Sequence, residues 1–158
     1  MKTLAFMFVT AAASLAFAYP AVKDQAVFKG LYSGAAGGAI DFVQTLELTA
    51  FDSATNSFKL KNTFLVNGQA QVQEQDVAKD DLLDDARIQD ILTNCLSYGG
   101  QLEDTTTVGG TFKTCTAPTQ GNGRIWIGDV PFGMVKSLSF DQDQNKIETE
   151  LQSFVRGQ

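Results

Sequence analysis

The sequence GGTFKTC (residues 109–115), followed after a turn-rich gap by GRIWIGDVPFGMVKSLSF (residues 123–140), decides the fold of this chain. Apolar and polar residues alternate in both segments, and Gly and Pro residues interrupt the alternation, as is typical of strands joined by turns. The two segments contain the second cysteine, Cys115, and the single tryptophan, Trp126. We therefore expect this region to form the sheet on which the other elements pack.

The residues before this region show the same alternation. Asn67-Gly68 is the strongest turn signal in the chain and predicts a type I′ hairpin turn. Around it, the periodicity predicts strands at residues 26–33, 40–51, 58–66 and 69–75. One face of the second strand carries apolar side chains, namely Ile40, Phe42, Leu46, Leu48 and Ala50. An antiparallel meander is therefore the expected local topology.

The first and last segments of the chain after residue 18 differ in their pattern of apolar and polar residues. Residues 19–25 are polar and contain a proline, so we expect them to be loosely held. Residues 146–155 predict a last strand that closes the domain, because apolar residues recur on one side of it. The inner face of that strand would hold Ile147, Leu151 and Val155.

Helical periodicity replaces the alternation in the middle of the chain. Apolar residues fall at i, i+3, i+4, i+7 and i+8, at Ile88, Ile91, Leu92, Cys95 and Leu96. Aspartates at 80, 81, 84 and 85 precede them, and glycines at 99 and 100 follow, which suits capping at both ends. We predict one amphipathic helix over residues 81–97. Calcium binding is an alternative role for these aspartates and for the segment 141–148, because clustered oxygen atoms suit this ion. We favour helix capping for the aspartates and a hairpin turn for residues 141–148.

The first 18 residues have the pattern of a secretory signal peptide. They begin with Lys2, continue with a short apolar run and end with small residues at Ala16 and Ala18, which predicts cleavage after Ala18. The apolar run is shorter than the roughly 20 residues of a membrane-spanning helix, so cleavage is favoured over the alternative of an uncleaved membrane anchor. No later segment is long and apolar enough to span a bilayer, so we expect no stable membrane insertion of the mature chain. The prediction is a periplasmic or secreted protein with a single β-rich domain at residues 19–158.

The charge of the chain argues against some classes of partner, and its cysteine content predicts a disulfide. The chain has 18 acidic and 12 basic side chains, and its net charge of −6 disfavours nucleic acid as a partner. Its two cysteines, Cys95 and Cys115, are expected to form one disulfide after export to an oxidising compartment. Such a link would stabilise the fold by about 3 kcal/mol.

The residue inventory argues against catalysis. The chain has no histidine, so Ser-His or Cys-His nucleophile pairs and histidine metal sites are absent. Its carboxylates are numerous, but none lies in a context that is recognisable as a two-carboxylate hydrolase. We therefore expect a protein that is not an enzyme and that requires no cofactor and no metal ion.

The order GTFKTC, then Trp126, then GMVKSLSF also resembles a known pattern. Residues 109–140, about a fifth of the chain, are similar to the pattern "GTF, then W, then GLVK" of periplasmic lipoprotein-carrier proteins, the outer-membrane lipoprotein localisation factors and their uncharacterised relatives. The resemblance implies a curved antiparallel half-barrel. In it, Gly110 and Gly133 would shape turns, and Phe112 and Trp126 would be core aromatics.

Together these patterns predict an α+β fold, with a curved antiparallel sheet (half-barrel) of about eight strands, one helix and one disulfide. A concave apolar sheet would bind an apolar or lipid-like ligand, with Phe64, Trp126, Phe132 and Met134 as its predicted lining. Ordinary core packing is the alternative role for each of these side chains. The alternative function is an envelope or secreted structural protein that contacts another envelope protein through a strand edge or a polar face.

Overall fold

The computed structural model describes residues 19–34 and 38–157, and of residue 120 only the main chain, so the predicted signal peptide lies outside the described residues. They form a nine-stranded sheet and one short α-helix. The helix, α1, spans Asp85–Thr93. The strands are β1 (Gln25–Ser33), β2 (Ala39–Asp52), β3 (Ser57–Val66), β4 (Gln69–Ala78), β5 (Gln101–Thr107), β6 (Gly110–Pro118), β7 (Arg124–Gly128), β8 (Met134–Phe140) and β9 (Lys146–Val155).

The sheet has the order β4-β3-β2-β1-β9-β8-β7-β6-β5, and every neighbouring pair is antiparallel. It therefore consists of two meanders, β1 to β4 and β5 to β9, which are joined where the first strand pairs with the last. Strands β4 and β5 form the two open edges. The prediction of an antiparallel sheet with one helix and a disulfide is confirmed, and the predicted number of strands and half-barrel shape agree with it roughly.

Two β-bulges correct the predicted faces of β2 and β9. The register of β2 against β3 shifts between Leu48 and Ala50, and Ala50 is exposed rather than on the inner face. In β9, Gln152 is the extra residue, and beyond it Val155 is 55% exposed while Leu151 is fully buried. A bulge reverses the alternation of side chains, so apolar spacing alone misplaces every residue that follows it.

Helix α1 is shorter than the helix predicted at 81–97. Asp84 caps it by accepting a main-chain N–H at 2.7 Å. A tighter 3₁₀ turn, Cys95–Tyr98, follows it and turns Leu96 into solvent, where this side chain is 77% exposed. Ile88 stays fully buried. No helix within residues 19–34 and 38–157 combines the length and the apolar character that crossing a membrane requires.

The helix packs over one half of the inner face of the sheet, which we call the closed end. Its core consists of Ile88 from α1, Leu48 from β2, Phe58 and Leu60 from β3, and Tyr19. The helix also contacts β6 and β7, so it bridges the curved sheet from one side to the other. Because these side chains are almost fully enclosed, the closed end is a packed core.

The predicted disulfide between Cys95 and Cys115 is present. It joins the turn after α1 to strand β6, and both cysteines are buried. The link fixes the helix to β6, which lies next to the edge of the sheet opposite to the edge near β2 and β3. The disulfide therefore attaches the helix that covers the closed end to the second meander.

Residues 19–24 correct another expectation, since they are packed rather than loosely held. Tyr19 is 3% exposed and Asp24 is 1% exposed. The Lys23 N–H donates to the Leu48 carbonyl at 2.6 Å, and the Leu48 N–H donates to the Asp24 carbonyl at 2.9 Å. Hydrogen bonds and an apolar anchor thus tie this segment to the closed end.

The tip of the hairpin between β5 and β6 folds back onto β9. The Gly109 N–H donates to the Leu151 carbonyl at 3.2 Å, and the rings of Phe112 and Phe154 lie 6.0 Å apart. Beneath them lies a second core cluster of Ala26, Phe28, Val130, Val135 and Leu151. This contact brings the far end of the second meander back to the centre of the sheet.

Candidate ligand-binding groove

An open groove occupies the half of the inner face that α1 leaves uncovered, which we call the open end. Its volume is about 530 Å³. Five neighbouring strands, β3, β2, β1, β9 and β8, supply its lining. The apolar and aromatic members of that lining are Tyr32, Ile40, Phe42, Phe64, Val66, Met134 and Ile147.

Strand register explains why these side chains meet. Phe42 of β2 lies opposite Val66 of β3, and Tyr32 of β1 lies between Ile40 of β2 and Ile147 of β9. Directly opposed residues of an antiparallel pair project to the same side of the sheet. The ends of four consecutive strands therefore present one continuous apolar surface.

A glycine in β1 shapes the floor of the groove. If Gly30 carried a Cβ atom, that atom would lie 1.9 Å from Cζ of Phe42, so the Phe42 ring occupies the space of the missing side chain. The ring also contacts Phe64, with the two centroids 6.1 Å apart and the planes tilted by 47°. Such tilted aromatic pairs are favourable contacts.

Two pairs of polar side chains in and beside the groove form hydrogen bonds with each other. The hydroxyls of Ser137 and Thr149 lie 2.6 Å apart, and Gln44 Nε2 donates to Asn62 Oδ1 at 3.2 Å. Beyond them, the register places Gln71 of the edge strand β4 opposite Phe64. The floor is therefore mainly apolar with satisfied polar pairs, and the amide side chains lie toward the β4 side.

The mouth of the groove carries a hydrogen-bonded tyrosine. Tyr32 Oη donates to Asp141 Oδ2 at 3.1 Å. Hydrogen bonds from Asn145 and others lower the pKa of Asp141, and desolvation followed by the bond to Asp141 raises the pKa of Tyr32. Tyr32 is therefore a neutral donor at ordinary pH, next to a carboxylate that is occupied by the turn between β8 and β9.

Of the four predicted ligand-binding residues, Phe64 and Met134 line the groove. Trp126 does not line it, since its Nε1 donates to a carboxylate of β5 at 2.7 Å and a lysine ammonium lies 5.6 Å from its ring centroid. Phe132 packs edge-to-face against Tyr19 in the closed end, with the centroids 5.8 Å apart. The structure thus brings two of the four together and places the other two elsewhere.

Sequence reasoning missed most of the groove residues, including Tyr32, Phe42 and Ile147. A usable signal was present in the apolar faces of the strands, on which Phe42 and Ile147 were already placed. These residues lie at the ends of their strands, far from the residues facing the helix, but the pairing of β1 with β9 that brings Tyr32 next to Ile147 was not predicted. Apolar residues that no helix can cover mark an exposed apolar surface.

The other surface hollows are chemically different. Three of them, of about 240, 310 and 360 Å³, are each lined by three or more charged side chains. The residues that line the groove at the open end include none. In the described part of the chain, moreover, no group of three or more Cys, Asp or Glu side chains is placed to hold a metal ion. The groove is therefore the site that suits an apolar molecule.

Comparison with known proteins leaves the family open. No protein-family model matches the chain, and no curated protein matches it. Among solved structures, it is similar to a protein from Parabacteroides distasonis ATCC 8503 that is provisionally described as a lipoprotein. The two are 11% identical, the match covers 85% of this chain and 96% of that one, and the TM-score is 0.43. A similarity of this degree identifies neither a family nor a function.

Proposed function

We propose that this chain is an exported, non-enzymatic binding protein that holds an apolar or lipid-like ligand in the groove at the open end. The observation that supports the proposal is a volume of about 530 Å³ lined without a charged side chain. Small-molecule sites typically have about 300 to 1,000 Å³ and are mostly apolar. Burial of half-exposed aromatic and aliphatic side chains by a ligand would supply the binding free energy.

The distribution of polar groups favours an elongated ligand with one polar end. An apolar chain along the floor would cover Phe42, Phe64 and Met134, while a polar end would lie at the mouth. There the Tyr32 oxygen, whose proton is donated to Asp141, can still accept a hydrogen bond. Because the hydroxyls of Ser137 and Thr149 hydrogen-bond each other, the ligand would not have to supply hydrogen-bond partners for them. We propose a single acyl chain or a molecule of similar size.

A displacement experiment tests the proposal. The neutral dye N-phenyl-1-naphthylamine should bind with saturable fluorescence enhancement, and fatty acids should displace it. Phe64→Asp should weaken dye binding by about tenfold or more, because it places a charge in the apolar floor. Leu65→Asp is the matched control, since Leu65 follows on the same strand, is 41% exposed and faces the opposite side of the sheet.

Two outcomes would contradict the proposal. One is equal weakening by Phe64→Asp and Leu65→Asp. The other is the absence of any saturable binding, together with native mass spectrometry of the gently purified protein that shows only the mass of the bare oxidised chain. An adduct lost on delipidation would support the proposal and identify the natural ligand.

A second candidate function is binding of a protein partner at the edge strand β4. Nine of its ten residues are exposed, and no strand among residues 19–34 and 38–157 pairs with its outer edge. A partner strand could pair with such an edge through main-chain hydrogen bonds. Recovery of a stoichiometric partner from native envelope extract, lost when Val72 is replaced by Pro, would favour this candidate over the ligand carrier.

A further inference from the structure

The start of the described chain is held at its main-chain nitrogen. Tyr19 N donates to Asp85 Oδ2 at 2.8 Å, and the Tyr19 carbonyl accepts from Asp85 N at 3.4 Å. The Tyr19 ring lies in the core of the closed end and is 3% exposed. Both sides of this residue are therefore fixed against the first residue of α1.

Acidic groups outnumber basic ones around this nitrogen. Arg156 forms ion pairs with Asp85 at 3.1 Å and with Asp129 at 2.5 Å. Asp24 is buried and accepts the N–H groups of Ala21 and Gly157 at 2.5 and 2.7 Å. Two carboxylates thus share one guanidinium, and the carboxyl group of Asp24 lies close enough to feel the charges of Arg156 and Asp85. A second cation would therefore be favourable here.

We propose that cleavage after Ala18 creates an ammonium group at Tyr19 that forms an ion pair with Asp85 and locks the processed chain into its fold. Hydrolysis by a signal peptidase adds one water to the peptide bond between Ala18 and Tyr19. Ala18 leaves with the new carboxylate, and the amine of Tyr19 takes up a proton below its pKa. The inference rests on the predicted signal peptide and does not involve the groove.

The geometry needs little adjustment for this change. The nitrogen already lies at hydrogen-bond distance from Asp85 Oδ2, while Asp85 Oδ1 is bound by Arg156. Cleavage turns a neutral donor into a charged one, and charge-assisted hydrogen bonds are roughly twice as strong as neutral ones. Because Asp85 begins α1, the ion pair would also fix the helix that covers the closed end.

The test compares two precursors that differ by one residue and are exported through the same leader. The natural precursor should give a mature chain whose first residue is Tyr19, as found by mass spectrometry. A precursor with Gly inserted after Ala18 should give a chain that starts with Gly, so the ammonium is displaced and Tyr19 again has a neutral amide. At pH 6, we expect this chain to melt about 4 to 8 °C lower. A Gly appended after Gln158 is the control and should melt like the natural chain.

Two further comparisons assign the effect to the ion pair. Asp85→Asn should remove the difference between the two chains, because each then lacks the acceptor charge. The pKa of an amine that gains a carboxylate partner is raised by folding. Its stabilisation is therefore complete below the ordinary α-amino pKa of roughly 8 and is lost as the pH rises through the higher folded value. The melting difference should shrink over that range.

The proposal is overturned if the mature chain begins at another residue, or if the Gly insertion leaves the melting temperature at pH 6 unchanged. It is also overturned if the difference persists in Asp85→Asn. If the inserted chain does not accumulate, acylation of the natural chain gives the answer. The α-amine should react about tenfold more slowly in the folded protein than in Asp85→Asn, and equal rates would refute the ion pair. None of these results depends on whether the groove binds a ligand.

Discussion

The closed and open ends of the inner face are built from the same strands and differ in what covers them. On β2, Leu48 at the closed end is fully buried, whereas Ile40 at the open end is 41% exposed. Both side chains lie on the same side of this strand before its bulge. Helix α1 and Tyr19 cover the first of them, and no described residue covers the second in the same way.

Length explains the difference. Helix α1 has 9 residues and spans about 13 Å, while β2 has 14 residues and spans about 46 Å. A helix of that length covers only part of a strand that runs beneath it. The apolar surface is therefore a property of the strands, and the position of the helix determines which part of it becomes core.

The largest test of this difference is truncation at the two ends. Leu48→Ala should lower the free energy of unfolding by about 3 to 4 kcal/mol, because it leaves a cavity in a packed core. Ile40→Ala should lower it by less than about 1 kcal/mol and should weaken dye binding instead. Urea denaturation measures the first effect and dye titration the second. Equal destabilisation by both variants would mean that the open end is core as well.

Removal of the disulfide should destabilise the protein nearly as much. The double substitution Cys95→Ser and Cys115→Ser should lower the free energy of unfolding by about 3 kcal/mol, for a link that joins residues 20 apart in sequence. Dye binding at temperatures where the protein stays folded should be unchanged, since neither cysteine lines the groove. A loss of dye binding in the folded variant would show that the two ends are coupled.

An added methyl group at the groove floor should have an intermediate effect. Gly30→Ala should force the Phe42 ring upward into the groove, at a cost of about 1 to 3 kcal/mol and with weaker dye binding. Gly34→Ala is the control, because the nearest atom to its Cβ would lie at 3.5 Å, an ordinary contact. Thermal unfolding and dye titration of both variants measure the effect. Unchanged dye affinity in Gly30→Ala would argue that the ligand does not reach the floor.

The smallest effect concerns a reporter outside the groove. Hydrogen bonds from Thr116 and Trp126 lower the pKa of Glu103, so this interaction is present above the ordinary glutamate pKa of roughly 4.3 and is lost as the pH falls through the lower folded value. Trp126 emission should therefore titrate below pH 4.3, and Glu103→Gln should abolish the titration. Apolar ligands should leave the emission nearly constant. A large change on ligand binding would place the site near Trp126 instead.

The fold was largely predictable because its signals are local. Alternation located the strands, Asn67-Gly68 located a hairpin turn, and the spacing around Ile88 located the helix. Two cysteines and a predicted leader sufficed for the disulfide. The bulges were not predictable, because the extra residue at Gln152 is an ordinary strand residue whose effect depends on its partner strand.

The groove was less predictable because it depends on contacts between distant strands. Phe64 and Met134 were found as apolar residues on strands, but the same criterion selected Trp126 and Phe132. The two pairs differ in their neighbours, because Trp126 and Phe132 pack against other elements whereas Phe64 and Met134 line the open groove. That depends on where α1 ends and on the positive φ of 65° at Phe132, neither of which the apolar pattern specifies.

The pairing of β1 with β9 has a kinetic consequence. Strand β1 can pair with β9 only when the ten residues of β9, the last strand in the sequence, are available. Folding must therefore close a loop that spans nearly the whole domain, and such long-range closure slows folding. If the chain crosses a membrane starting from its N-terminus, β1 reaches the far side before β9 and cannot yet pair with it. The pairing that joins the two meanders into one sheet could thus form only after β9 has also crossed.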